Sequence, residues 1–152
     1  MNFKEIIKKL LKEKNIDLFV DMDGVIASYD FGNPKDFDKK RPLTNSIKVL
    51  EEISKLDGIT MHILSICKKD FQIKEKNNWL DINAPFFKKD KRFILSKETI
   101  TNTSSPNMKL NFLREFQTSN QKVLLDDDNL VLKTVANNLE DIIVFQDSEL
   151  VD

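Results

Sequence analysis

Residues 19–27 read FVDMDGVIA. They continue the run IDLFV at residues 16–20, which is apolar, rich in β-formers and short, and so predicts a buried strand. Two aspartates, Asp21 and Asp23, and then Gly24 close it. Side chains two apart in a strand share a face, so both carboxylates are expected to aim at one point. There one can attack an electrophile while the other handles a proton.

Upstream, residues 3–14 place Phe3, Ile6, Ile7, Leu10 and Leu11 at helical spacing with lysines opposite, which predicts an amphipathic helix within residues 1–15 packed on the domain. Downstream, YDFGNPKDFDKKRP at 29–42 holds one of the three glycines and two of the four prolines, and residues 28–43 read as a loop. Thr44 or Asn45 is expected to cap the next helix, with Ile47, Leu50, Ile53 and Leu56 on one face. A second strand is expected at 59–66 (ITMHILSI), a helix at 68–82, and a short third strand at 92–95. Residues 96–107 (SKETITNTSSPN) read as a polar loop, and 108–116 as a helix. A fourth strand at 122–126 (KVLLD), a helix at about 130–138 and a fifth strand at 142–145 complete the chain.

Strands and helices alternate throughout. That pattern predicts a single α/β domain over residues 1–152, a five-stranded, mainly parallel sheet with helices on both faces. Ligands of such sheets bind at the carboxyl ends of the strands. The residues expected there are Asp21 and Asp23, Ser65, Lys97 or Lys109, and Asp126, Asp127 and Asp128. Carboxylates crowded into one crevice repel each other. A hard cation resolves the repulsion, and carboxylate oxygens are the ligands Mg²⁺ prefers. A serine hydroxyl and a lysine beside such a cation make an anion site, and phosphate is its natural occupant.

Composition narrows the choices. The net charge is −1, with 40% hydrophobic and 32% charged residues, so no overall field draws the chain to nucleic acid or to an anionic membrane. KKDKR at 88–92 is a local basic run. Cys67, the single cysteine, follows an apolar run and reads as a buried structural thiol; the single histidine, His62, lies inside that same run. No signal peptide or membrane span is expected, and a reducing cytoplasm is the expected compartment.

Four segments together carry a resemblance. FVDMDGVIA resembles the first motif of the haloacid dehalogenase (HAD) superfamily of phosphohydrolases. MHILSI, ending near Ser65, resembles the second, a lysine before the fourth strand the third, and VLLDDDNLVLKTVANN the fourth. The resemblance implies a three-layer Rossmann-like fold and a Mg²⁺-dependent phosphatase. It implies that Asp21 forms an aspartyl-phosphate and that Asp23 protonates the leaving oxygen and then activates water. It implies that Asp126 binds Mg²⁺ with Asp21 and the main-chain carbonyl of Asp23, that Asp127 orients the metal, and that Ser65 and Lys109, or alternatively Lys97, hold the phosphoryl oxygens. Lys76 and Trp79 in KNNW are similar to the 5'(3')-deoxyribonucleotidase branch, with Lys76 as a further phosphate contact. No large cap insertion is present, and the loop residues Asp30, Phe31, Phe37 and Arg41 are candidates to touch substrate. The expected substrate is a nucleoside monophosphate; a polynucleotide 3'-phosphate is the alternative, since an open site admits larger substrates. A receiver-like phospho-acceptor domain is the non-enzyme alternative. There the acidic pair and the acceptor sit on different strands, whereas here an Asp-x-Asp motif joins attacker and acid/base.

Overall fold

The computed structural model describes residues 1–29 and 37–151. Five parallel strands, β1 (Ile16–Val20), β2 (Ile59–Cys67), β3 (Arg92–Ser96), β4 (Gln121–Asp126) and β5 (Ile142–Gln146), lie in the order β3-β2-β1-β4-β5. The helices are α1 (Phe3–Leu11), α2 (Thr44–Ser54), α3 (Phe71–Asn83), α4 (Ser105–Glu115) and α5 (Asn129–Asn138). The sheet is covered on both faces, as the alternation predicts, and no large cap is present among the described residues.

β1 is the central strand, buried along its whole length. Its alternate residues serve two cores. Ile16, Leu18 and Val20 pack with Phe3, Ile7, Ile47, Leu50, Ile53 and Trp79, from α1, α2 and α3. Phe19 packs with Leu110, Leu113, Val131 and Val135, from α4 and α5. Burial of apolar side chains on both faces, at roughly 1.5–3 kcal/mol each, is what holds a parallel sheet between helical layers.

The strand order positions the site. From β1 the chain winds outward to β2 and β3, then returns across β1 to β4. The order therefore reverses between β1 and β4, and a crevice opens at their carboxyl ends. Asp21 follows the last residue of β1 and Asp126 is the last residue of β4. The Asp21 N–H donates to the Leu125 carbonyl at 3.0 Å, which carries the β1–β4 ladder one residue further and sets the two carboxylates side by side.

Several boundaries differ from the sequence reading. α4 starts at Ser105, inside the segment read as a loop, because the Ser104 hydroxyl accepts from the Asn107 N–H and Pro106 lies in the first turn. Proline there removes no helical hydrogen bond. α2 starts at Thr44, but its capping residue is Leu43, so neither Thr44 nor Asn45 caps it. β1 ends at Val20 as read from the sequence, but the backbone then turns sharply: the N–H groups of Val25, Ile26 and Ala27 all donate to the Met22 carbonyl. Gly24 sits in this turn at φ +80°, and a Cβ there would collide with the Asp127 carboxylate and Tyr29.

The KKDKR run is not one basic patch. Arg92 turns inward to Asp81 at 2.8 Å and to the Phe87 carbonyl at 2.8 Å, while Lys89 lies 3.9 Å from Asp81 and Lys91 4.0 Å from Asp90. His62 is buried in the other direction, towards the amino end of β1. Its Nε2 meets Asp17 at 2.7 Å and its ring stacks on Phe19, so it takes no part in the crevice. Cys67 is a buried free thiol, which burial pushes up in pKa. No helix among the described residues is long and apolar enough to cross a membrane.

Candidate active site

Three carboxylates and one ammonium meet at the reversal point. The Lys109 Nζ donates to Asp21 Oδ1 at 3.0 Å and to Asp126 Oδ2 at 2.7 Å. All three groups are buried. Lys109 reaches them because α4 starts early: the residue lies in the second turn of the helix, facing the strand ends, rather than at a frayed terminus. Lys97 sits just after β3, is exposed, and is not among the described residues that line the cavity of the carboxylate cluster. Asp127 completes the carboxylate cluster. Oxygens of Asp21, Asp126 and Asp127 lie within 4.8 Å of one another.

The electrostatics follow from burial. Desolvation pushes Asp21 up to about 6, helped by the charge of Asp126 and opposed by Lys109. Desolvation likewise raises Asp127 to about 6, against a hydrogen bond from the Tyr29 hydroxyl. Asp126 is raised for the same reason. Burial would lower Lys109, but Asp21 and Asp126 outweigh it and hold the ammonium above its ordinary value. Three carboxylates face one ammonium, so two negative charges are uncompensated when all are ionised. A divalent cation restores the balance, and the clustered oxygens are the hard donors that Mg²⁺ takes. The residues therefore fit a Mg²⁺ site made by Asp21, Asp126 and Asp127.

Asp128, the third acid of the LDDD run, is not in the cluster. Its carboxylate caps α5, accepting from the Leu130 N–H at 2.9 Å and the Val131 N–H at 3.4 Å.

Asp23 does not point where Asp21 points. The turn that begins at Met22 breaks the two-residue alternation expected from an extended strand. The Asp23 carboxylate instead meets Lys40 at 2.5 Å and Lys76 at 3.3 Å. Burial would raise its pKa, but Lys76 and Lys40 outweigh it and hold the group below the ordinary carboxylate value. The side chain of Asp23 thus stands outside the carboxylate cluster, while both residues line one cavity of about 150 Å³ with Lys109, Asp126 and Asp127.

Lys76 joins the second half of the site. Its Nζ donates to Ser65 Oγ at 2.7 Å and to the Ile66 carbonyl at 2.9 Å, as well as to Asp23. Ser65 is fully buried, and its hydroxyl reaches the crevice through this lysine. Trp79, one turn on along α3, donates from Nε1 to the Lys40 carbonyl at 2.9 Å and packs edge-on against Phe37. It anchors the segment that delivers Lys40 to Asp23.

The fold has counterparts among solved structures. A chain of the Pnkp1/Rnl/Hen1 RNA repair complex matches at a TM-score of 0.67 and 21% identity, over 88% of this chain and 42% of its own length. A chain from a second structure of the Pnkp1/Rnl/Hen1 complex matches at 0.68 and 20% identity, over 88% and 46%. What is shared is the fold. This chain spans less than half the length of either neighbour. No family model and no curated protein matches the sequence.

Two participants escaped the sequence reading. Lys40 sits in KKRP among three consecutive basic residues, and nothing in the pattern separates it from Lys39 or Arg41. Only the Trp79 hydrogen bond and the Phe37 anchor select it. Tyr29, whose hydroxyl bonds Asp127, looked like a loop aromatic. Of the loop residues expected near substrate, Phe37 is buried with Lys40 and Lys76 each 4.9 Å from its ring centroid, and Arg41 is exposed. Asp30 and Phe31 lie outside the described residues.

Proposed function

We propose that this chain is a Mg²⁺-dependent phosphomonoesterase working through a phosphorylated Asp21, and that its substrate is the phosphorylated end of a polynucleotide. The observation that carries the chemistry is the convergence of Asp21, Lys109, Asp126 and Asp127 at the one point where the sheet order reverses. These residues come from three separate segments, and a fold has no packing reason to bury so much like charge together.

In the first step an Asp21 oxygen attacks phosphorus and the bond to the leaving oxygen breaks. The leaving oxygen takes a proton from Asp23. In the second step water attacks the phosphorus of the acyl phosphate and gives its proton to Asp23. Inorganic phosphate leaves and the Asp21 carboxylate is restored. Lys40 and Lys76 hold Asp23 ionised in the free protein, the form needed for the second step. A phosphomonoester has a second pKa of about 6, so a bound monoanion carries the one proton the first step requires, and Asp23 relays it to the leaving oxygen. Lys109 keeps Asp21 in place and offsets negative charge at the transferring group, as Lys76 and Ser65 do from the other side. Mg²⁺ held by Asp21, Asp126 and Asp127, with the main-chain carbonyl of Asp23, would neutralise charge on the phosphoryl oxygens.

Two observations favour a polynucleotide end over a free nucleotide. The crevice has no cap over it among the described residues, and the fold is shared with chains of an RNA repair complex. The buried Lys76 beside Trp79 supports the second reading, a 5'(3')-deoxyribonucleotidase-like enzyme acting on nucleoside monophosphates. Phosphate release should be compared between a 3'-phosphorylated oligonucleotide and deoxynucleoside monophosphates, with Mg²⁺ and with EDTA. The expected result is Mg²⁺-dependent release with the higher kcat/KM on the oligonucleotide. A higher value on the monophosphates selects the nucleotidase, and release from neither contradicts the phosphatase reading.

The metal site has a test independent of activity. Asp21 and Asp127 titrate near 6 rather than at 3.8. A raised folded-state value means that their stabilising protonation is complete below the unfolded value and is lost as pH rises through about 6. The metal-free protein therefore loses stability through this window, where the carboxylates become free for a cation. Saturating Mg²⁺ is expected to raise Tm clearly at pH 8 and far less at pH 5. An equal shift at both, or none, contradicts the assignment.

A further inference from the structure

A second, larger cavity opens from the site and has no role in the chemistry described so far. Its volume is about 580 Å³, against about 150 Å³ for the cavity of the carboxylate cluster. The two share Asp23 and Ile66, so they meet at the residue that hands a proton to the leaving oxygen. A group attached to that oxygen has the larger cavity next to it.

The walls identify the occupant by chemistry. Phe71, the first residue of α3, is 58% exposed at the cavity edge, an uncommon position for a large apolar ring at a site otherwise crossed by charges. Phe37 and Ile66 add apolar wall opposite. Lys68 and Lys69 precede Phe71 in the loop from β2 to α3 and line the same cavity. That loop is pinned, since the N–H groups of both lysines donate to Gln72 Oε1 at 3.0 Å. Lys69 lies 3.8 Å from Glu98, both well exposed, while Lys68 has no carboxylate partner among the described residues. An exposed aromatic ring beside cationic side chains is the arrangement that binds single-stranded nucleic acid, with the base stacked on the ring and the backbone phosphate on the cation.

We propose that this cavity is the leaving-group subsite, which seats the terminal nucleoside of a single-stranded 3'-phosphorylated end, with its base stacked on Phe71 and the next phosphate on Lys68. The inference rests on the phosphatase reading above and specifies its substrate side. It also gives the open crevice a source of selectivity, because discrimination comes from the β2–α3 loop rather than from a cap.

The test measures kcat/KM for a 3'-phosphorylated single-stranded oligonucleotide and for glycerol phosphate, which carries a phosphomonoester without a base. Stacking on an aromatic ring is worth on the order of 1–3 kcal/mol per base. Phe71→Ala is therefore expected to lower the oligonucleotide-to-glycerol phosphate ratio about tenfold, and Phe71→Trp to preserve it. Lys68→Ala is expected to make the salt dependence of oligonucleotide KM shallower by about 0.7 in log–log slope, the signature of one lost phosphate contact. Phe71 is exposed, so its replacement leaves the core untouched. An unchanged ratio in Phe71→Ala overturns the subsite while the phosphatase stands. Wild-type protein that hydrolyses neither compound overturns both.

Discussion

Asp21→Asn is expected to lower kcat by about 10⁴-fold or more, the scale on which removal of an enzyme's nucleophile is felt. The substitution keeps the shape of the side chain, but removes its capacity to form an acyl phosphate and one anionic ligand of the proposed Mg²⁺ site. The neighbours tolerate the change: Lys109 retains Asp126 at 2.7 Å, and one repelling charge leaves a buried cluster. Stability of the metal-free variant should therefore equal or exceed that of the wild type, measured by urea unfolding, while phosphate release vanishes. Loss of activity together with loss of folding would make the result uninformative about chemistry, and the arrangement of charges argues against that outcome. Activity within tenfold of wild type would remove Asp21 from the role of nucleophile.

Lys109→Met should have the largest effect on stability. Among the described residues Lys109 is the one cation bonded to both Asp21 and Asp126, and all three are buried. Removing one partner of a buried ion pair leaves an uncompensated charge and typically costs about 3–5 kcal/mol. The lower end, about 3 kcal/mol, is expected here at pH 8 without metal, because Asp21 can partly relieve the strain by taking up a proton. The deficit should shrink as pH falls towards about 6, because Asp21, no longer held down by Lys109, takes up a proton above that value. Mg²⁺ should restore part of the loss by replacing the missing positive charge. Turnover should fall by roughly 10²–10³-fold, as when one preorganised electrostatic contact to a transition state is removed. Urea unfolding that shows a change within about 0.5 kcal/mol, the range of ordinary surface substitutions, would mean that Lys109 is not what holds the carboxylates together.

The fold was legible because its signals are local. Each strand is a short apolar run ended by turn residues, and every helix but α3, which buries Lys76 beside Trp79 and Leu80, carries a 3.6-residue apolar stripe, so the alternation and its parallel sheet follow from IDLFV, ITMHILSI and KVLLD. The start of α4 was misplaced because Ser, Thr, Asn and Pro around residue 104 read equally as loop or as a cap with a first-turn proline; the hydrogen bond from Asn107 to Ser104 decides it. In the site, the sequence supplied the acids and the competing lysines but not their pairing. Choosing between Lys97 and Lys109 requires knowing which helix face meets the strand ends. The separate orientation of Asp23 was hidden because strand alternation was carried three residues past the end of β1. Lys40 was invisible for a different reason: its partner Asp23 lies 17 residues away, and the contact depends on Trp79 holding an otherwise featureless loop.

The central claim is that phosphate passes through a covalent bond to Asp21, and the most direct measurement is to trap that bond. Wild-type protein mixed with excess 3'-phosphorylated oligonucleotide and Mg²⁺, then quenched in acid within a turnover and digested, should yield one phosphoryl group on the peptide that carries Asp21. That adduct should be labile to hydroxylamine, as acyl phosphates are, and absent when EDTA replaces Mg²⁺. Phosphate release with no adduct at Asp21, or with the phosphoryl group on another residue, would contradict the account.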